Sequence, residues 1–313
     1  MLRHARRGRA GLAAVLALLA PPLLACEPEL TPVAPATWVV EGAREEIAAD
    51  NCGLIANLGV IATGEGVVLI DSGPSRTLGE ALEAEIMALT GQPVRWVLNT
   101  HHHPDHVFGN QAFANAEVLA LAGTAEAMAR DAAAFEANLR RLLGEAFAGT
   151  RLRLPDRAVA PGRHDFGGYP LELHAFRGHS GADLVIFDAA TGVLFAGDLV
   201  FHQRTATTPH TPGLQAWIEE LDRLEALRYR VMVPGHGPVD HEGAALAQTR
   251  DYLAWLDRHF DEQASRGATA NQVREAPLPE RFAGLALAEY ELTRSLSHLY
   301  PRYEQRWLWG EAP

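Results

Sequence analysis

The stretch "VRWVLNTHHHPDHVFGN", Val94 to Asn110, constrains this chain more than any other. A short apolar run reads as a buried strand and leads without a linker into a segment that holds four of the chain's fourteen histidines and an aspartate. The cluster therefore belongs at the C-terminal end of a strand. His101 and His103 are two apart in an extended segment and project to the same side, whereas Asp105 and His106 follow Pro104 at a predicted helix start. One turn can thus aim three imidazoles and a carboxylate at a single place. His102, out of phase with its neighbours, is expected to point away.

The same setting recurs downstream. His179 in "RGHSGAD", Asp198 in "LFAGD" and His236 in "VPGHG" each close or flank a strand-like run beside a glycine, where backbone and side chain can approach an ion closely. Five histidines and two aspartates, His101, His103, Asp105, His106, His179, Asp198 and His236, form a nitrogen and oxygen donor set without thiolate. It suits zinc and is acceptable to iron or manganese. Seven donors exceed what one tetrahedral zinc takes. They fit two ions roughly 3.5–4 Å apart, as in two-metal hydrolytic centres.

Around these positions strands and helices alternate. "LIANLGVIAT" and "GVVLIDSG" read as a hairpin turned at Gly64 to Gly66, and "TLGEALEAEIMAL" as an amphipathic helix. "AEVLAL" reads as a strand and Thr124 to Leu143 as a helix. "LELHAF", "DLVIFDA", "GVLFAGD" and "RVMVPGHG" read as further strands, with "LQAWIEELDRLEAL" a helix before the last. From about residue 241 only helical patterns remain, Ala244 to Phe260 and Leu285 to Leu299, which predicts a helical cap or appendage over 241–313. At 48% apolar content the chain can bury one large layered α/β domain.

The first residues are of another kind. "MLRHARRGRA" is basic, and "GLAAVLALLAPPLLA" is apolar but too short and Pro-broken for a membrane span, so residues 1–25 are expected to be an export signal and the mature protein periplasmic. "LLAC" ends at Cys26, which either becomes a lipidated first residue and membrane anchor or simply follows the cleavage point. In the second case Cys26 and Cys52, the only cysteines, could pair in an oxidising compartment. Residues 26–37 read as a Pro-rich tether, with structure starting near Trp38. The net charge of −12, more negative once the leading arginines are removed, excludes nucleic acid as a partner.

"HHHPDH", followed in order by His179, Asp198 and His236, resembles the metallo-β-lactamase superfamily over about residues 38–240. The resemblance implies a four-layered αββα sandwich with the metals at one edge of the sheets. Within it, "GPSRTLGEAL", "NTHHHPDHVFGNQAFA", "ATGVLFAGDLVFH", "TTPH" and "VPGHGPVD" are most similar to the zinc metallohydrolases of quinoprotein relay systems, which implies a quinoprotein partner but no defined substrate. Carried across, His101, His103 and His179 would hold one zinc, Asp105, His106 and His236 a second, and Asp198 would bridge them. A carboxylate at 198 is similar to the glyoxalase-II-like branch rather than to classical lactamases. Asp71 matches an aspartate supporting the histidine loop from behind. The implied reaction is attack of a metal-bound hydroxide on the carbonyl of an ester, thioester, lactone or lactam, with Asp105 also able to orient the nucleophile. His202 and His210, in the loop after Asp198, are candidate contacts to a small-molecule substrate. Two other readings are a mononuclear iron oxygenase of the persulfide-dioxygenase type and a non-catalytic metal-binding accessory protein.

Overall fold

The computed structural model describes residues 27–310, so the expected signal of residues 1–25 and Cys26 lie outside the described residues. Seven strands form the first sheet in chain order: β1 (Thr31–Ala34), β2 (Thr37–Val40), β3 (Leu58–Ala62), β4 (Val67–Ile70), β5 (Val94–Leu98), β6 (Glu117–Ala120) and β7 (Arg157–Ala158). The second sheet holds β8 (Gly162–Phe166), β9 (Tyr169–Phe176), β10 (Asp183–Asp188), β11 (Val193–Phe201) and β12 (Val231–His236), neighbours again following chain order. Each sheet begins as an antiparallel meander and turns parallel, the first from β4 onward and the second only between β11 and β12. Parallel pairing needs a crossover. The first sheet uses α1 (Arg76–Thr90), a short α2 (Pro104–Val107) continued by a 3-10 turn, and α3 (Ala122–Leu143), while the second uses α4 (Leu214–Glu225).

Local chemistry accounts for the elements. Ser75 caps α1 by accepting from the Leu78 amide, Gly91 ends it at φ 68°, and Leu78, Leu82 and Ile86 make its buried stripe. The strands β4 "VVLI" and β11 "VLFAGDLVF" are buried at every position because both faces of their sheets are covered. Between the sheets, Ile61, Ile70 and Leu98 pack against Leu173, Ile186 and Phe195. Leu82 and Ile86 cover the outer face of the first sheet with Val60, Leu69 and Val97. The result is the expected αββα layering.

One boundary differs from expectation. The segment read as a tether already pairs: β1 lies antiparallel to β2, with Pro32 opposite Trp38 and an irregularity between Pro32 and Ala34. A proline is accepted because β1 is an edge strand, where a missing N–H costs no ladder bond. The expected C-terminal helical segment comprises α5 (Ala244–Ser265), α6 (Ala270–Glu275), α7 (Glu280–Ala283), α8 (Ala288–His298) and α9 (Tyr300–Trp309) and takes the form of a cap. Leu253, Leu256, Phe260, Leu292 and Tyr300 share one core with Phe201 of β11 and Trp217 of α4, so these helices complete the outer layer over the second sheet. Among the described residues no helix is long and apolar enough to cross a membrane.

Candidate metal centre

The first sheet delivers its donors from one loop. Beyond β5, the Thr100 carbonyl accepts from the Leu184 amide of β10 at 2.7 Å, which ties the loop to the opposite sheet. His103 stays extended at φ −70° and ψ 149°, and Pro104 opens α2, so the backbone turns between His103 and Asp105. The second sheet delivers its donors from three places: His179 between β9 and β10, Asp198 within β11, and His236 at the end of β12. Gly235 makes the last approach feasible, since a Cβ there would lie 2.0 Å from Asp198 Oδ1.

These side chains meet. One group comprises His101, His103, His179 and Asp198, another Asp105, His106 and His236, and within each the potential donor atoms lie within 4.8 Å of one another. Asp198 stands between them: its Oδ2 is 3.3 Å from His179 Nε2 and 3.2 Å from His236 Nε2, and its Oδ1 is 3.2 Å from His106 Nε2. His179 Nε2 and His103 Nδ1 are 2.9 Å apart, and His236 Nε2 is 3.4 Å from Asp105 Oδ2. Donors at zinc–nitrogen distances of about 2.0–2.1 Å in a tetrahedron are about 3.3 Å from one another. The spacing is that of a metal shell. In addition, His101 Nε2, His106 Nε2 and Asp198 Oδ1 are shut from solvent without a hydrogen-bond partner, a costly arrangement unless something else engages them. The residues fit metal.

Neighbouring groups fix which nitrogen faces the centre. Asp71, held at φ +58°, accepts from the Thr100 amide at 2.8 Å and its hydroxyl at 2.7 Å, and lies 2.7 Å from His106 Nδ1. With Nδ1 donating to that carboxylate, His106 turns Nε2 inward. His236 does likewise through Nδ1 and the Ile55 carbonyl at 2.7 Å. Asn57 donates to the Pro234 and Gly237 carbonyls and so pins the end of β12 to the first sheet. Asp183 accepts from the Gly178 and Ser180 amides and the Ser180 hydroxyl, closing the turn that presents His179.

Charge follows from burial. Burial, reinforced by neighbouring imidazoles, pushes His101 and His103 well below the ordinary histidine range and His179 down to about 3. These rings are neutral at pH 7 with lone pairs ready for an ion. At His106 burial also opposes charge, but Asp198, Asp105 and Asp71 outweigh it and raise its pKa. Asp198 is held well below the carboxylate range because four surrounding histidines overcome its burial.

The fold thus brings His101, His103, Asp105, His106, His179, Asp198 and His236 together, with Asp71 behind them. The two loop histidines divide. His210 lines a cavity of about 500 Å³ shared with His103, Asp105, Asp198 and His236, and its Nδ1 is 2.6 Å from His103 Nε2. His202 is outside that lining, and its Nδ1 bonds the Pro238 carbonyl at 2.9 Å. His102 is outside the two groups around Asp198, but its potential donor atom lies within 4.8 Å of those of His103 and His210, and the ring is buried against Phe135 and His210. Asn57 went unread in the sequence, since a lone polar residue in an apolar stretch carries no spacing signal. Asp183 could have been found from the Ser-x-x-Asp turn that follows His179.

Two facing sheets wrapped in helices thus hold a buried histidine and aspartate cluster at their edge. A family model described as the metallo-beta-lactamase superfamily matches residues 53–236, and the chain belongs to that superfamily. A metallo-beta-lactamase from Pontibacter korlensis superposes with a TM-score of 0.60 at 23% identity, covering 73% of this chain and 99% of that one. The structure of a double mutant of the sec-alkyl sulfatase PisA1 superposes with a TM-score of 0.66 at 21% identity, over 88% of this chain and 50% of its own. A linear primary-alkylsulfatase from Pseudomonas sp. (strain ATCC 19151) is 23% identical over 293 residues, 78% of this chain and 55% of the relative. The chain spans about half the length of these two sulfatases.

Proposed function

We propose that this protein is an exported dinuclear zinc hydrolase cleaving an ester, thioester, lactone or lactam, working beside a quinoprotein dehydrogenase system. The observation that carries the two-metal part is Asp198, whose two oxygens lie within 3.3 Å of His106, His179 and His236 and thereby face both donor groups. His101, His103 and His179 would hold one ion, and Asp105, His106 and His236 the other. Ions bound there supply Lewis acidity and bring the pKa of a coordinated water toward neutrality. The chain's own residues do the rest: Asp71 and the Ile55 carbonyl keep two imidazoles oriented, Asp105 lies where it can orient a nucleophile, and the cavity seats the substrate. The export signal, with or without a lipid on Cys26, and the motif resemblance to quinoprotein relay hydrolases support the location and the partner.

The alkylsulfatase relatives motivate a second reading for the bond cleaved, a sulfate ester. Elemental analysis of the purified mature protein, paired with a panel of thioester, lactone, lactam and alkyl sulfate substrates, tests both. About two zinc ions per chain and turnover on the carbonyl arm support the first reading. Turnover confined to the alkyl sulfate selects the second, and a single iron with no hydrolysis defeats both.

A further inference from the structure

His103 belongs to two trios of imidazoles, and the candidate centre around Asp198 takes in only one of them. In that first trio the ring centres of His101, His103 and His179 are 4.6, 4.8 and 4.7 Å apart. In the second, those of His102, His103 and His210 are 4.7, 5.0 and 4.8 Å apart. The spacings match. One potential donor atom from each ring of the second trio lies within 4.8 Å of the other two, the same closeness found within the centre. The two nitrogens of His103 divide between the trios: Nδ1 is 2.9 Å from His179 Nε2, and Nε2 is 2.6 Å from His210 Nδ1.

The second trio is partly sealed and partly open. His102 is 3% exposed, and its Nε2 is shut from solvent without a hydrogen-bond partner. A hydrogen bond between His103 and His210 explains their closeness but leaves that nitrogen unmet, which is costly. Asp131 of α3 brings a carboxylate oxygen to 3.6 Å from it. Phe135, one turn further along α3, stands with its ring centre 5.9, 6.3 and 6.2 Å from those of His102, His103 and His210 and so walls the trio on one side. His210, by contrast, is exposed and lines the cavity, so an ion can arrive from solvent. Its loop is held in advance: the Thr208 hydroxyl meets that of Ser295 on α8 at 2.7 Å, and the Thr211 hydroxyl donates to the Gly178 carbonyl at 2.6 Å.

We infer that His102, His210 and the outer nitrogen of His103 form a binding site for a further divalent ion, of the zinc or copper class, distinct from the two donor groups around Asp198. Three imidazoles with a carboxylate close by suit those ions and not magnesium or calcium. Binding there displaces the Nε2 proton of His103 to solvent, and the ring then joins the outer ion to the centre. No hydrolytic activity is needed for this site to be filled or counted.

Equilibrium dialysis of the desalted protein against zinc chloride is expected to add one ion to those the protein retains, whereas magnesium chloride adds none. H102A and H210A should each weaken the added zinc by at least about tenfold and D131N by less, with the retained ions still in place. If H102A does not fold, H210A decides, because it alters an exposed ring. A parent that takes up no further zinc overturns the site, and so does uptake unchanged in H210A, which marks an adventitious ion elsewhere on the surface. An H210A variant that sheds a retained ion and still binds the added one shows that His210 only orients His103, and this also overturns it. A parent retaining one ion instead of two defeats the dinuclear reading, while dependence of the added zinc on His102 and His210 still decides this site.

Discussion

The two sheets furnish the metal centre in opposite ways. From the first sheet come His101, His103, Asp105 and His106, all within one loop and one helical turn after β5. From the second come His179, Asp198 and His236, each on a different segment and each needing its own support: the Asp183 turn, the body of β11, and the Gly235 approach with the Ile55 carbonyl. The contiguous half is a local device whose geometry is set by extended backbone and a proline-started helix. The dispersed half exists only once β10, β11 and β12 are in register. Damage to a dispersed member should therefore remove function through the ion it holds, while damage to a supporting residue should act through orientation or folding.

The most severe test is Asp198→Asn, which keeps size but removes the one anion facing both donor groups. Metal content is expected to fall from about two per chain toward one, and hydrolytic activity by more than about 100-fold, beyond the range of losses seen for outer-shell changes. Elemental analysis and initial rates check this, and a variant with two metals and undiminished turnover would break the dinuclear reading.

Asp71→Asn comes next and probes the contiguous half. It weakens the acceptor that fixes His106 Nδ1 while leaving His179 and His236 untouched, so a loss of about 10–100-fold in metal affinity is expected. Competition with a zinc chelator measures it, and an affinity equal to the parent's would show that the loop is set by backbone alone.

Asp183→Asn addresses the dispersed half through folding. An amide cannot accept from two N–H groups and a hydroxyl as the carboxylate does, and the expected cost is about 1–3 kcal/mol in urea unfolding. Burial pushes the Asp183 pKa up to about 6, above its unfolded value. The folded form therefore holds its proton more tightly, and ionisation opposes folding as pH rises from about 4 through 6. The stability advantage of the parent over the variant should shrink across that window, and a difference flat with pH would contradict the assignment.

His102→Ala should have the smallest effect on the centre, leaving metal content unchanged. Because the ring is buried against Phe135 and His210, a loss of about 1–3 kcal/mol in stability is expected instead. Loss of metal would place His102 among the ligands.

Much of this was open to inspection before any coordinates. The period-two phase of His101 and His103, the proline before Asp105, and the recurrence of histidine or aspartate beside glycine at strand ends pointed to the seven residues that the fold gathers, and hydrophobic spacing identified α1, α3, α4 and α5 with the buried strands. The short edge strand β1 was missed because Pro32 suppresses a strand signal that an edge position tolerates. His202 and His210, eight residues apart in one loop, looked alike in sequence. Only the fold sends one to the Pro238 carbonyl and the other against His103.

By itself, then, the sequence determined the donor chemistry, the layered α/β class and the contiguous half of the centre, because these depend on residue type and on backbone periods of a few residues. Tertiary structure alone decided that the C-terminal helices wall the cavity, that Glu291 meets Arg204 across the second sheet's outer layer, and that Asp198 faces both donor groups. Those contacts join residues far apart along the chain, whose meeting is set by sheet register and helix packing, and no local pattern of residues encodes them.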